Sequence, residues 1–233
     1  MRIEQQAAWL APADLGEAAA AQREIATACE QADRIGPVAR IAGADVSCPW
    51  RDPAAPVHAA IAPHAWPSGL PDAAASATLR PRFPYVPGYL GFREAPALVA
   101  AWERLAVKPD LLVVDGHGRA HPRRCGIATH LGVVLDVPAI GCAKSLLCGR
   151  VEGEVGPAPG DRARIVDRGE VIGMALRTSR RGGPVFVGAG HRVSLETAVE
   201  WVLRLSLGRR LPLPVRLAHD ASNVVRRSYS ALS

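Results

Sequence analysis

A chain of 233 residues, 48% of them hydrophobic, is long enough to bury a full core without disulfide or metal staples and too apolar for general disorder. No apolar run approaches the ~20 residues a membrane helix needs, and the amino terminus, with Glu4 among polar residues, has no apolar signal core. A cytoplasmic protein with no membrane partner is therefore expected, and the formal net charge of +6 is compatible with a polyanionic partner.

In chain order, an alanine-rich amphipathic helix is predicted from about Asp14 to Arg34, stopped by Gly36-Pro37, and a strand from Val38 to Val46 that ends near Asp45. Residues 48–82 contain seven prolines between Pro49 and Pro81 and weak alternation apart from a short patch around Val57 to Ile61, which predicts one or two irregular edge strands with loops. An aromatic loop stiffened by two prolines, Phe83 to Leu90, leads through Arg93 and Glu94 to a helix over Pro96–Leu105, with Pro96 in its first turn, where a missing N–H costs little. A strand Leu111–Asp115, a helix from about Arg123 to Leu135, a short strand Ala139–Cys142 and a helix from about Lys144 follow. A turn-rich stretch, Gly153–Asp161, precedes strands at Val171–Arg177 and Pro184–Val187. Ser194 then caps a helix over Leu195–Leu207 with Glu196 in its first turn. From Pro212 the chain is polar, and its last dozen residues are expected to be loosely ordered. The alternation of strands and helices points to one α/β domain over residues 1–233, a mixed sheet with helices on both faces.

Within that order the stretch Asp110–Gly149 is the densest in chemistry. A buried strand that delivers Asp115 into Gly116-His117-Gly118 is a common way to build a site on an α/β sheet, because glycine lets backbone approach a ligand closely. His121, Arg123 and Arg124 follow with donors suited to phosphate, although an ordinary turn with a solvated aspartate gives the same local pattern. Lysine occurs only at Lys108 and Lys144, so the basic charge is nearly all guanidinium and Lys144, beside a glycine-rich strand end, stands out as a compact proton donor or phosphate-binding point charge. It also fits an inconsequential helix start. The five cysteines are odd in number and never spaced CxxC, which fits reduced thiols rather than a disulfide framework or a zinc site.

Asp45, Glu94 and Asp115 occupy comparable places: two strand ends and the approach to a helix. Carboxylates gathered there repel one another unless a cation neutralises them, and an all-oxygen cluster suits Mg²⁺, with Mn²⁺ as a substitute. Taken singly, each acid also fits a helix cap or a surface charge, Glu94 most of all.

The ordered set Gly43-Ala44-Asp45-Val46, Pro84-Tyr85-Val86-Pro87-Gly88, Phe92-Arg93-Glu94, Asp115-Gly116-His117-Gly118, His121-Pro122-Arg123, His130-Leu131-Gly132, Gly141-Cys142-Ala143-Lys144 and Gly190-His191-Arg192-Val193-Ser194 resembles the endonuclease V family over about Ile41 to Leu207. The resemblance implies a ribonuclease-H-like fold and a Mg²⁺-dependent endonuclease. Such an enzyme nicks DNA at the second phosphodiester bond 3′ to deoxyinosine, leaving a 3′-OH and a 5′-phosphate. It implies Asp45, Glu94 and Asp115 as the metal centre, with Lys144 and His191 near the scissile phosphate. Pro84, Tyr85, Val86 and Pro87 would form a strand-separating wedge. Gly88, Leu90, Gly116, His121 and Gly126 would line a pocket for the flipped base, and Arg93, Arg123 and Arg192 would meet phosphate. DNA carrying deoxyinosine or other deaminated bases is the implied partner, with a monomer as the default state.

Inserting an aromatic wedge costs a few kcal/mol of unstacking, and a weakly paired hypoxanthine lowers that cost at the lesion. Two prolines restrict the loop before binding. Inosine-containing RNA remains open as the substrate, since the 2′-OH that decides it has no sequence signature, as does a lesion-binding protein without turnover. The family pattern assigns the second and third strands to residues 48–82, where this sequence diverges.

Overall fold

The computed structural model describes residues 3–49, 52 and 54–231. It runs α1 (Ile3–Leu10), α2 (Leu15–Ala28), β1 (Arg40–Ser47), β2 (Val57–Ala65), β3 (Ala75–Leu79), α3 (Leu90–Glu103), β4 (Leu111–Val114) and α4 (Ile127–Leu135), then β5 (Ala139–Ala143), β6 (Arg150–Val151), β7 (Arg162–Asp167), β8 (Glu170–Leu176), β9 (Val185–His191), α5 (Leu195–Ser206) and α6 (Leu213–Ser230). All the strands join one sheet in the order β3-β2-β1-β4-β5-β9-β8-β7-β6. β1, β4 and β5 are parallel neighbours, and the remaining pairs are antiparallel. This is the expected mixed α/β sheet flanked by helices, of ribonuclease-H-like architecture.

Two cores lie on opposite faces. Phe92, Leu98, Leu112 and Leu131 pack with α1 to α4 on one side, and Ile41, Leu111, Ile140 and Val202 pack with α5 and α6 on the other. With helices on both sides, a strand such as Leu111–Val114 is apolar throughout rather than alternating. The two-residue period of a strand then decides where the site faces. Ala42, Ala44, Leu112 and Val114 point to the α3–α4 side, and Ile41, Leu111, Val113, Ile140 and Cys142 to the α5–α6 side. Continuing the period, Asp45, Asp115 and Lys144 leave the carboxyl ends of β1, β4 and β5 toward the α5–α6 side.

Several expectations are corrected. The proline-rich segment contributes β2, an interior strand buried along nearly all its length and paired with β1 over eight residues; only β3 lies at the edge. Alternation is weak there because α3 covers one face of β2 and α6 the other. Pro63 is tolerated because its carbonyl, which accepts from Asp72 N–H at 2.9 Å, faces the edge beyond Ile61, where the β3 ladder stops. Helix α3 starts at Leu90, so Glu94 is inside it and Pro96 is helix interior rather than first turn. Burying Gly91, Phe92, Arg93 and Ala95 together favours continuing the helix across the proline. The helix expected at Arg123 begins at Ile127, and no helix starts at Lys144, where an irregular connection leads to β6. α1 and β7 were not foreseen.

The expected loose tail is instead α6, which packs across β1 and β2 through Pro214, Val215, Ala218 and Ser222; the end of that tail, residues 232–233, lies outside the described residues. A Cβ on Gly43 would stand 1.8 Å from the Pro214 carbonyl oxygen, so only glycine lets the start of α6 cross β1 there.

Candidate active site

Asp45 ends up 7% exposed at the carboxyl end of β1. Its Oδ2 accepts from His219 Nδ1 of α6 at 2.9 Å and from Ser222 Oγ at 3.4 Å. Burial, followed by the charge of Asp115, raises the Asp45 carboxyl above its usual range, with His219 opposing. Asp115 leaves the end of β4 and meets Lys144 Nζ at 2.5 Å. From the opposite face α3 brings Glu94 to the same cleft, where burial and then the charges of Asp45 and Asp115 push its pKa up to about 8. The negative charges crowded beside Asp45 and Glu94 are the electrostatic condition a bound cation relieves.

Among the described residues Asp45, Asp115 and His219 converge as a candidate metal group, with one ligand atom from each lying within 4.8 Å of the others. As a candidate ligand group it offers two carboxylates and an imidazole, and Glu94 lines the cleft beside Asp45 and Asp115. His219 is itself held from behind. Asn223 Nδ2 lies 3.1 Å from His219 Nε2, while Asn223 Oδ1 accepts from Ser47 Oγ at 3.0 Å, and Ser47 in turn accepts from Arg226 Nε at 2.8 Å. The contact with Asp45 puts the proton on Nδ1, and an ion ligated by Nδ1 would take that proton's place.

The four acid and lysine side chains share a cleft of about 440 Å³ with Tyr85, Val86 and Pro87, and with Gly88, Leu90, Gly116, His121 and Gly126. The tip of the loop is free while its base is clamped. Tyr85 is 62% exposed, whereas the Gly88 carbonyl accepts from Gln22 Nε2 at 3.0 Å, Arg123 Nη2 at 2.7 Å and His121 Nε2 at 3.0 Å. Gly88 has φ +78°, a turn conformation that glycine takes without strain. Arg123 also stacks on the Tyr89 ring at 4.1 Å. His121 uses both nitrogens, since Nδ1 accepts from Arg123 N–H at 3.2 Å, and burial lowers its pKa to about 4, so the ring is neutral and walls the pocket.

The sequence profile of the family described as Endonuclease V matches residues 22–220. The chain belongs to the endonuclease V family. It is 49% identical over 214 residues to the endonuclease V of Gloeobacter violaceus, covering 91% of this chain and 86% of that one. The crystal structure of endonuclease V from Streptomyces avermitilis superposes with a TM-score of 0.87 at 36% identity, over 95% of this chain and 96% of that one. The endonuclease V of Ciona intestinalis, solved in complex with a 24mer DNA containing an inosine followed by a ribo-adenosine, shares the fold with a TM-score of 0.78 at 24% identity, over 94% and 99% of the two chains. As a member of the endonuclease V family the protein is a nuclease.

Not every residue in the endonuclease V motifs reaches the cleft. β9 runs antiparallel to β5 and pairs His191 with Ala139, so His191 sits at the end of the sheet opposite Lys144. There its Nδ1 accepts from Glu30 N–H at 3.1 Å and its Nε2 faces Asp136 Oδ1 at 3.7 Å. A place for His191 beside the scissile phosphate is thus corrected. Arg192 lies at that same far end, bound to Asp136 and Glu30. Arg93 is 5% exposed within α3, and the Arg123 guanidinium is committed to Gln22, Gly88 and Tyr89. None of these three arginines is presented to a phosphate in the cleft. Sequence reasoning missed His219. Only its helix had a signal, the 3–4 spacing of Val215, Ala218 and Ser222 behind a first-turn proline, and nothing local marked His219 as facing Asp45.

Proposed function

We propose that the protein is a Mg²⁺-dependent DNA repair endonuclease that nicks the second phosphodiester bond 3′ to deoxyinosine, leaving a 3′-OH and a 5′-phosphate. The observation that carries this reading is one cleft holding Asp45 and Asp115, which converge with His219, and an exposed Tyr85 beside a glycine-lined pocket. The Ciona endonuclease V complex with inosine-containing DNA supports the same substrate here.

Asp45, Asp115 and His219 would hold the ion, with Glu94 at its flank; bound there, it supplies charge neutralisation at the phosphate and lowers the pKa of water. The chain's own groups do the rest. Tyr85 stacks into the gap left by the flipped base, gaining on the order of 1–3 kcal/mol of base–aromatic contact. Gly88, Gly116 and Gly126, which carry no side chain, leave room for the base, and neutral His121 excludes water beside it. Lys144 Nζ, steered by Asp115, donates to the oxygens of the scissile phosphate. Asn223, bonded to His219 Nε2, fixes the ring with Nδ1 toward Asp45. Two carboxylates and an imidazole accept Mn²⁺ as well as Mg²⁺, so Mn²⁺ is expected to support nicking.

The test is to map the break in an end-labelled duplex with one deoxyinosine, beside a matched inosine RNA and an adenine control. A break at the second bond 3′ to the lesion, with a terminus that a polymerase extends, is the expected result. Cutting confined to the RNA would move the activity to RNA at the same site, and binding without any cut in Mg²⁺ or Mn²⁺ would refute the nuclease mechanism.

A further inference from the structure

Beside the catalytic cleft, on the α5–α6 side of the sheet, lies a hollow of about 750 Å³ lined by Arg180, Arg181, Arg209, Arg210 and Arg216. It forms where the loop between β8 and β9 meets the loop between α5 and α6. Its scaffold is fixed by hydrogen bonds to backbone. Arg210 donates to the carbonyls of Gly183 at 3.1 Å, Pro184 at 3.2 Å and Lys144 at 2.8 Å, while its own carbonyl accepts from Thr178 Oγ1 at 2.7 Å. Ser179 Oγ and Arg177 tie the loop to itself at Arg181 and Gly182.

Among the described residues Arg180, Arg181, Arg209 and Arg216 have no carboxylate at ion-pair distance. Burial and then the charge of Arg209 disfavour the charged form of Arg216, with Asp220 opposing. Like charges gathered around a hollow, with their loops ordered in advance, match an anion of high charge density.

Arg210 also fixes direction. Its contact with the Lys144 carbonyl sets the hollow next to the lysine end of the catalytic cleft. The base pocket opens on the α3–α4 side, and Asp45, Asp115 and Lys144 face the α5–α6 side. A strand whose flipped base fills the pocket therefore crosses the end of the sheet at the acids and arrives at the arginines.

We propose that this hollow is a second phosphate-binding site, which holds backbone phosphates of the nicked strand on the 3′ side of the scissile bond. The direction rests on the reading that cleavage is 3′ to the lesion. The hollow grips strand length without reading sequence, because guanidinium–phosphate contacts carry no base information.

The experiment measures affinity by fluorescence anisotropy in chelator, on deoxyinosine duplexes whose 3′ arm is lengthened stepwise past the scissile bond. A second set lengthens the 5′ arm, and adenine duplexes serve as controls. Wild type is compared with the triple variant Arg180→Gln, Arg181→Gln, Arg209→Gln, whose positions are all exposed, and the melting temperature of each is recorded. Wild-type affinity is expected to rise about tenfold as the 3′ arm grows, and the variant to show no such rise. The slope of log K against log salt is expected to flatten by about two to three in the variant.

A wild type indifferent to the 3′ arm, or a folded variant that keeps the full rise and slope, would overturn the proposal. So would saturable binding of a nucleoside triphosphate to the wild type alone without a 3′-arm effect, which would make the hollow a free-anion site. Inosine preference without the 3′-arm effect would reject the hollow only, and the 3′-arm effect without inosine preference would reject the lesion reading and leave the hollow standing.

Discussion

Asp115 follows four residues that are at most 1% exposed, so its backbone is fixed and only the carboxylate projects into the cleft, where Lys144 meets it. That much could be read in the sequence, because an apolar run ending on an acid beside glycines has a local pattern. His219 could not, since its partner Asp45 is 174 residues away and nothing local marks the contact. His191 shows the converse: it lies in a family motif, yet the antiparallel return of β9 carries it to the wrong end of the sheet. His219→Ala is expected to lower nicking by on the order of 10–100-fold and to raise the metal concentration needed for half-maximal rate. His191→Ala, in contrast, is expected to leave the metal dependence of the folded enzyme unchanged. Metal titrations of both variants check the assignment. Tyr85→Ala is expected to weaken the preference for inosine over adenine duplexes by about tenfold while the melting temperature holds, since the ring is exposed and its stacking contributes on the order of 1–3 kcal/mol.

At the scale of elements, α6 delivers His219 and α3 delivers Glu94, one from each face of the sheet. The sequence marked β1, β4 and β5 because both faces of a parallel strand are buried and the run is apolar. It concealed β2, where Pro63 and the absence of alternation mimic an edge, and α6, whose buried side is made of small residues rather than a leucine stripe. The dependence of the site on α6 is testable at a residue outside the cleft. Gly43→Ala forces the Pro214 carbonyl away from β1, so both melting temperature and nicking are expected to fall, with weaker metal binding in whatever fraction folds. Unchanged metal affinity in a folded Gly43→Ala protein would separate α6 from the metal site.

For the whole molecule, buried neutral histidines make stability depend on pH. Burial lowers His121 and His130 from 6.5 to about 4, and His130 Nε2 pairs with the Trp9 carbonyl at 2.7 Å, pinning α1 to α4. Because the folded values lie below the unfolded ones, the unfolded chain binds protons first as pH falls. Their contribution is complete above pH 6.5 and is lost between there and about 4, by on the order of 3 kcal/mol each. Chemical denaturation from pH 7.5 to pH 4.5 should show that decline, less steeply in His130→Gln. Among the described residues no helix is long and apolar enough to cross a membrane. The net charge of +6 is compatible with a polyanionic partner.

The central claim, that Asp45, Asp115 and His219 form a metal site cutting 3′ to a flipped inosine, is tested most directly by single-turnover nicking of a deoxyinosine duplex across a Mg²⁺ titration. Wild type and Asp115→Asn are compared, with duplex binding measured in parallel. The expected result is a chelator-sensitive nick at the second bond 3′ to inosine in the wild type, and an Asp115→Asn protein that binds the duplex but does not cut at any Mg²⁺ concentration. Nicking that persists in chelator, or an Asp115→Asn enzyme with the wild-type metal dependence, would contradict it.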